Sequence, residues 1–418
     1  MPTPRIAKSR RPDPTHPVDQ PILIAGGGVG GLCAALALAR VGRRTLVLER
    51  APAFREVGAG LQLAPNATRI LRDYGALTLL EGLAVAPTHV RIRRGRDGAR
   101  LANLPLRDAD KRWGAPYFNV HRADLLSALA ELASRNSLIE IRHDATLTGF
   151  VQDEQGVAVT YRGQDEIHRA GGEVLIGADG VRSIVRARLR DPQTDQPNYT
   201  GHTAWRAVVP ASDLPPAFSE PASNLWLGEK AHLVHYPLRA GAIVNIVALV
   251  EDGWRGDGER GRDGAQFWDQ AGDRRILLDR FKDWAPEAQQ FLSAPESWMR
   301  WPMFDRPPLD SYARGRTALL GDAAHPMLPY LAQGAAQAIE DSAALSLAFL
   351  EFGGRDPVKA LAQYSAARQP RAAQVQQASR AQGKIYHMAG APAFARDLVL
   401  RLTPSGRLMA RQHWLYSA

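Results

Sequence analysis

A glycine pattern near the start of the chain, Gly26-x-Gly28-x-x-Gly31 with Gly30 inside it, follows a short apolar run and precedes an alanine- and leucine-rich one. In a strand–turn–helix setting these residue types suit a phosphate cradle. Gly26 permits the tight turn, Gly28 lets backbone approach a pyrophosphate, and Gly31 lets helix pack on strand. The start of the helix then offers unpaired N–H groups and partial positive charge to the phosphates. Glu49 closes the second apolar run, where a carboxylate accepts both hydroxyls of a ribose and disfavours a 2′-phosphate. These residues predict a dinucleotide site without distinguishing a nicotinamide from a flavin.

Two later segments bear on that choice. Residues 175–183 run from a buried strand into a turn carrying Asp179, and 319–326 do the same with Asp322, ahead of a helix opening at Gly334 and Ala335. A dinucleotide with a sugar-alcohol linker needs an acceptor for its ribityl hydroxyls, and Asp322 is placed to be one. The helix after Gly334 aims its N-terminus at an isoalloxazine carbonyl that becomes anionic on reduction. The three segments in this order predict FAD.

A different chemistry sits in 232–236. In a period-two segment His232 and Tyr236 point to one face and His235 to the other. His325 reads as part of its turn and His387 as packing in the C-terminal helices. Trp205, Trp226 and Trp301 read as core, and Cys33 as a small buried apolar residue.

Elements must hold these groups in place. The runs 21–25 and 45–48 with a helix at 32–40 form a βαβ unit, joined by a helix at 122–135 and strands at 138–150, 155–162 and 174–176. From 196 to 301 short period-two runs broken by Pro and Gly predict an antiparallel sheet. From Ala335 onward the pattern is helical, with breaks expected at Gly353-Gly354, Pro370 and 389–392. The expected fold class is α/β, with a Rossmann-like FAD-binding domain (20–87, 114–195 and 302–350), an inserted antiparallel β-sheet substrate domain (88–113 and 196–301), and a C-terminal helical region (351–418).

The chain has 418 residues, 45% of them apolar and 23% charged, enough for a sizeable core and unlike a disordered or fibrous chain. Its one cysteine excludes an intramolecular disulfide and a cysteine-based metal site, and no metal is expected. The formal charge is +9, with basic stretches at 91–112 and 368–411. Neither is interleaved with aromatics as a single-strand nucleic-acid platform would be. They read as solvated surface that also steers small anions, so no nucleic-acid partner is expected. Residues 1–19 carry Arg5, Lys8, Arg10 and Arg11 among prolines before the apolar run 22–39, which imitates an export signal. Cleavage after that run would destroy the glycine fingerprint. We expect 1–19 to be a disordered extension and the protein to be cytoplasmic, with no membrane partner.

Taken with the segments 58–67, 121–125 and 232–238, with Ile385-Tyr386-His387 and with Trp414-Leu415-Tyr416, these motifs resemble the single-component FAD-dependent aromatic hydroxylases of the para-hydroxybenzoate hydroxylase fold. The resemblance covers about residues 20–418 and is to the salicylate and 3-hydroxybenzoate hydroxylase branch. It implies non-covalent FAD, with Glu49 and Arg50 on its adenosine side, Arg122 in contact with it and Asp322 on its ribityl chain. The 177–183 segment, with Asp179, would serve both FAD and a transient nicotinamide nucleotide, which this family binds without a second Rossmann domain. NADH is favoured over NADPH because no dedicated 2′-phosphate site is visible.

The implied reaction reduces the flavin, adds dioxygen to form a C4a-hydroperoxide, and transfers its distal oxygen to a ring carbon activated by a phenolate. The protein orients the ring, deprotonates the phenol and excludes water. His232 suits a base near neutral pH, and with Tyr236 it forms the expected catalytic pair. Gln62, Pro329 and Tyr330 complete the expected lining for a small hydroxylated aromatic acid. The alternatives are a hydroxypyridine or larger phenolic substrate, or a same-fold flavin reductase or oxidase. A monomer or homodimer is expected.

Overall fold

The run Ile22–Ala25 is buried at every residue, as a strand covered on both faces must be. It lies at the centre of a six-stranded sheet ordered Ala313–Arg314, Thr317–Leu319, Leu175–Gly177, Ile22–Ala25, Thr45–Leu48, Ile139–Arg142. All neighbours are parallel except the first pair, which is antiparallel. The helix Val29–Arg40 follows the first strand and packs against the helix Gly334–Ala348. The computed structural model describes residues 20–54, 60–164, 166–191, 193–215, 220–254 and 270–417. The expected extension 1–19, and the first two residues of the 58–67 segment, lie outside the described residues.

The stretch 138–150 is two strands rather than one. Ile139–Arg142 ends the parallel sheet, and Thr146–Gln152 begins a three-stranded antiparallel sheet with Val157–Gly163 and Glu166–Gly172. Leu147, Val159 and Tyr161 fix that sheet to the core under the parallel one.

The second large sheet has eight strands in the order Gln270–Gly272, Trp298–Asp305, Asn198–Pro210, Ile243–Glu251, Ala231–Leu238, Ala222–Gly228, His89–Arg94, Arg100–Pro105. It is antiparallel except where Ala222–Gly228 runs parallel to His89–Arg94. Its back face buries Trp205, Trp226, Leu233 and Ile246 under two helices, Arg274–Arg280 and Pro286–Ser293, with Phe281 directly after the first and Phe291 in the second. Those helices, each of two turns, break the expected all-strand reading of 196–301.

The front face follows from register. His232 lies opposite Leu249 and Tyr236 opposite Asn245; one strand further, His202 lies opposite Glu251 and Arg206 opposite Val247. Because side chains alternate along a strand, His202, Arg206, His232, Tyr236, Asn245 and Glu251 share one face.

At the C-terminus, Pro370 does not break the chain: Pro357–Tyr386 is one 30-residue helix with that proline inside it. One lost N–H bond is tolerated where neighbours already pack the helix on several sides. The stretch 368–411 is also no uniform solvated surface. Arg368 and Arg396 are buried, the first on Asp341 and Glu340 and the second on Asp397 and the carbonyls of Ile385 and Tyr386.

Candidate active site

The glycine turn is built as the spacing predicted. Gly26 has φ +101°, and a Cβ there would lie 2.5 Å from the Ala178 carbonyl oxygen. A Cβ on Gly31 would lie 1.9 Å from the Gly26 oxygen, and one on Gly30 2.8 Å from a Leu320 methyl, so both are packing glycines. Gly28 differs: a Cβ there meets nothing within 4 Å, leaving open space before the helix start. Beside it the Glu49 carboxylate accepts the Gly27 N–H at 2.7 Å and the Ala51 N–H at 2.8 Å, while Arg50 is exposed.

Asp322 is solvent-exposed, yet protein packs around its carboxyl. Burial raises its pKa, partly offset by His325 and Arg122, so Arg122 and Asp322 act on each other electrostatically. Gly334 opens its helix nearby; a Cβ there would lie 3.8 Å from Asp322 Oδ1, and Ala335 follows in the first turn. The open glycine turn with Glu49 beside it, together with Asp322 beside a second helix start, is a donor and acceptor set that fits FAD. The Asp179 carboxylate accepts the Ser183 hydroxyl at 2.5 Å and the Ile184 N–H at 2.7 Å, at the start of helix Ile184–Leu189.

The strand Gly60–Leu63 docks on the front face of the eight-stranded sheet. The Gly60 N–H donates to Asn245 Oδ1 at 3.1 Å, and Gln62 Nε2 donates to Ser223 Oγ at 2.9 Å. A Cβ on Gly60 would lie 2.4 Å from the Tyr236 ring, so only glycine lets that ring lie against the strand. Burial raises the Tyr236 pKa, with Arg206 pulling the other way. The Arg206 guanidinium lies 4.6 Å from the Trp301 ring centroid.

His232 is 2% exposed. Its Nδ1 is 2.7 Å from His387 Nε2, and His387 Nδ1 is 2.8 Å from Glu251 Oε1. Burial, followed by His387 and His202, holds the His232 pKa well below its ordinary value, so the ring is neutral at pH 7. The His232 ring also neighbours those of Tyr330 and Tyr386. Tyr330 sits in the short turn Pro329–Leu331, against Gly383 of the long helix, and its hydroxyl hydrogen-bonds His202 Nδ1. Pro329 beside it is exposed.

His387 is therefore not mere packing, and with His202 and Glu251 it forms a group whose ligand-type atoms lie within 4.8 Å of one another, although no metal was expected. Trp301 is buried as expected, in a smaller core cluster with Tyr330, Leu328 and Met303 on the front face. His235 and His325 are structural as expected: the first accepts from Trp226 Nε1 and stacks on Phe291, the second bonds Asp341 at 2.6 Å. Sequence reasoning missed His202, Arg206 and Glu251. Alternation along 202–206 and 243–251 was the available signal.

Residues 19–379 match the family model described as FAD binding domain. The chain is 38% identical over 403 residues to the 3-hydroxybenzoate 6-hydroxylase of Polaromonas naphthalenivorans (strain CJ2), covering 96% of each. Among solved structures, Klebsiella pneumoniae HpxO complexed with FAD and uric acid superposes with a TM-score of 0.80 at 25% identity, covering 96% of this chain and 97% of that one. A salicylate hydroxylase substrate complex gives 0.77 at 25% identity, covering 96% of both chains. No helix among the described residues is long and apolar enough to cross a membrane. With its glycine turn, its acidic acceptors and relatives matched along nearly their whole length, the chain belongs to the family of FAD-dependent aromatic monooxygenases.

Proposed function

We propose that this protein hydroxylates a small hydroxylated aromatic acid, of the 3-hydroxybenzoate or salicylate type, using NAD(P)H and dioxygen. The observation that carries the reading is the front face, where a neutral buried histidine, His232, lies two residues along from the row of Arg206 and four from Tyr236. A neutral imidazole accepts a phenolic proton, the tyrosine hydroxyl supports the resulting phenolate, and the guanidinium favours a ring that carries a carboxylate.

Bound FAD supplies hydride acceptance and dioxygen activation. Glu49, Gly28, Arg122, Asp322 and the helix start at Gly334 and Ala335 hold it. His232 takes the phenolic proton, which raises electron density at the ring carbons ortho and para to oxygen. Gln62 ties the strand Gly60–Leu63 to the sheet through Ser223 and so sets the gap in which the ring lies. Tyr330 and Pro329 close one side, and Trp301 with Leu328 keeps water from it. The reading includes NADH as the favoured reductant, a cytoplasmic setting, a monomer or homodimer, and the division of the chain into the FAD-binding, substrate and C-terminal segments expected from sequence.

The test follows oxidation of NADH, and separately NADPH, by the FAD-loaded protein while 3-hydroxybenzoate, salicylate, 4-hydroxybenzoate and 6-hydroxynicotinate are added in turn. One of the two leading acids should raise the rate at least ten-fold with hydroxylated product. Stimulation by 6-hydroxynicotinate alone would move the substrate to a hydroxypyridine, and stimulation by none would overturn the reading.

A further inference from the structure

The pair His387 and Glu251 lies outside the roles assigned above to flavin and ring, and it continues a line of hydrogen bonds away from the proposed base. His232 Nδ1 meets His387 Nε2 at 2.7 Å, and His387 Nδ1 meets Glu251 Oε1 at 2.8 Å. Burial falls off along the line: the His387 side chain is 1% exposed and that of Glu251 33%. Such a line gives a buried base an outlet to solvent, so that His232 returns to its neutral form while the phenolate stays deprotonated.

We propose that His387 and Glu251 are positioning residues that carry the substrate's phenolic proton from His232 to solvent. The proposal rests on the reading of His232 given above. One set of tautomers satisfies every donor: His232 carries its proton on Nδ1 and donates to His387 Nε2, and His387 carries its own on Nδ1 and donates to the Glu251 carboxylate. The substrate O–H bond breaks as an N–H bond forms at His232 Nε2. His232 Nδ1–H breaks as His387 Nε2–H forms, and His387 Nδ1–H breaks as an O–H forms on Glu251, which passes the proton to water. Charge leaves the site by one unit, and no oxidant or reductant takes part. The reverse sequence reprotonates the product and restores both tautomers.

The surroundings suit transfer rather than storage. His387 faces His232, His202, Glu251 and Tyr330, with Arg280 acting on it from the helix Arg274–Arg280. Burial, outweighing the Glu251 hydrogen bond, holds its pKa at about 4, so it does not keep a proton near neutral pH. His202 adds a second imidazole at the exit, its Nε2 3.5 Å from Glu251 Oε1, with Asp252 also acting on it.

The experiment is stopped-flow mixing of the FAD-loaded protein with 3-hydroxybenzoate or salicylate in weak buffer containing phenol red. The wild type should release close to one proton per site. Glu251→Gln, at a half-exposed position that the fold tolerates, and His387→Ala should each slow that release at least ten-fold. Flavin content and substrate affinity should change less than three-fold, and added imidazole should restore much of the His387→Ala rate. Wild-type release rates in both variants, with NADH oxidation still stimulated by the acid, would overturn the relay alone. Absence of proton release and of stimulation in the wild type would overturn the reading of His232 on which it rests.

Discussion

His232 and His387 stand 155 residues apart in the chain and meet through a 2.7 Å hydrogen bond. One comes from the eight-stranded sheet and the other from the end of the 30-residue C-terminal helix. The bond fixes which nitrogen of His232 faces inward and which faces the helix, so the C-terminal segment sets the orientation of the proposed base.

His232→Ala should lower the rate of substrate-stimulated NADH oxidation by about 100-fold or more, the range expected for loss of a general base. FAD content should stay at the wild-type level, because His232 lies outside the glycine turn. Flavin absorbance and steady-state kinetics check both halves, and a variant within three-fold of wild type would remove His232 from the chemistry.

The glycines of the turn should separate by role. Gly31→Ala places a methyl 1.9 Å from a backbone oxygen and should cost the fold itself, seen as a lower melting temperature without flavin. Gly28→Ala meets no protein atom within 4 Å, so it should melt within a few degrees of wild type yet retain FAD poorly. Equal flavin retention in Gly28→Ala and wild type would mean that the open space is not where a pyrophosphate lies.

Stability should fall on mild acidification. His235 is held at about 3 and His387 at about 4, in both cases chiefly by burial, and His232 is also lowered. Below about pH 6.5 the unfolded chain binds protons that these folded rings refuse, at up to about 1.4 kcal/mol per pH unit for each. Urea midpoints should therefore drop between pH 7 and pH 5, and a flat profile over that range would contradict the neutral assignment.

Arg368→Ala should destabilise by about 3–5 kcal/mol, because it removes the buried guanidinium that Glu340 and Asp341 share and leaves them only Arg371 and His325 as charged partners. Burial alone would raise the Asp341 carboxyl, but His325 and Arg368 hold it at about 2. With the folded pKa below the unfolded one, this contribution is complete above about pH 4 and disappears as pH falls through about 2. The wild type should thus lose more stability between pH 4 and pH 2 than Arg368→Ala does, which acid titration followed by circular dichroism measures.

Local chemistry was legible in the sequence where one element carries it. Gly26, Gly31 and Glu49 belong to a single βαβ unit, and the alternation of His232, His235 and Tyr236 follows from one strand. The contact of His387 with His232, and the row of His202 and Glu251, depend on strand register and on the path of the last long helix. No local period encodes either. Pro370 misled because a proline was weighed without its tertiary support, and helices of two turns between 274 and 293 are too short for a clear helical period.

The most direct test of the account is isotope transfer. The FAD-loaded protein would be given NADH, the acid that best stimulates it and 18O2, with product mass and hydrogen peroxide measured together. The account predicts one 18O atom per product molecule and one product per NADH consumed. NADH consumed with all the oxygen recovered as peroxide, or a product without label, would contradict it.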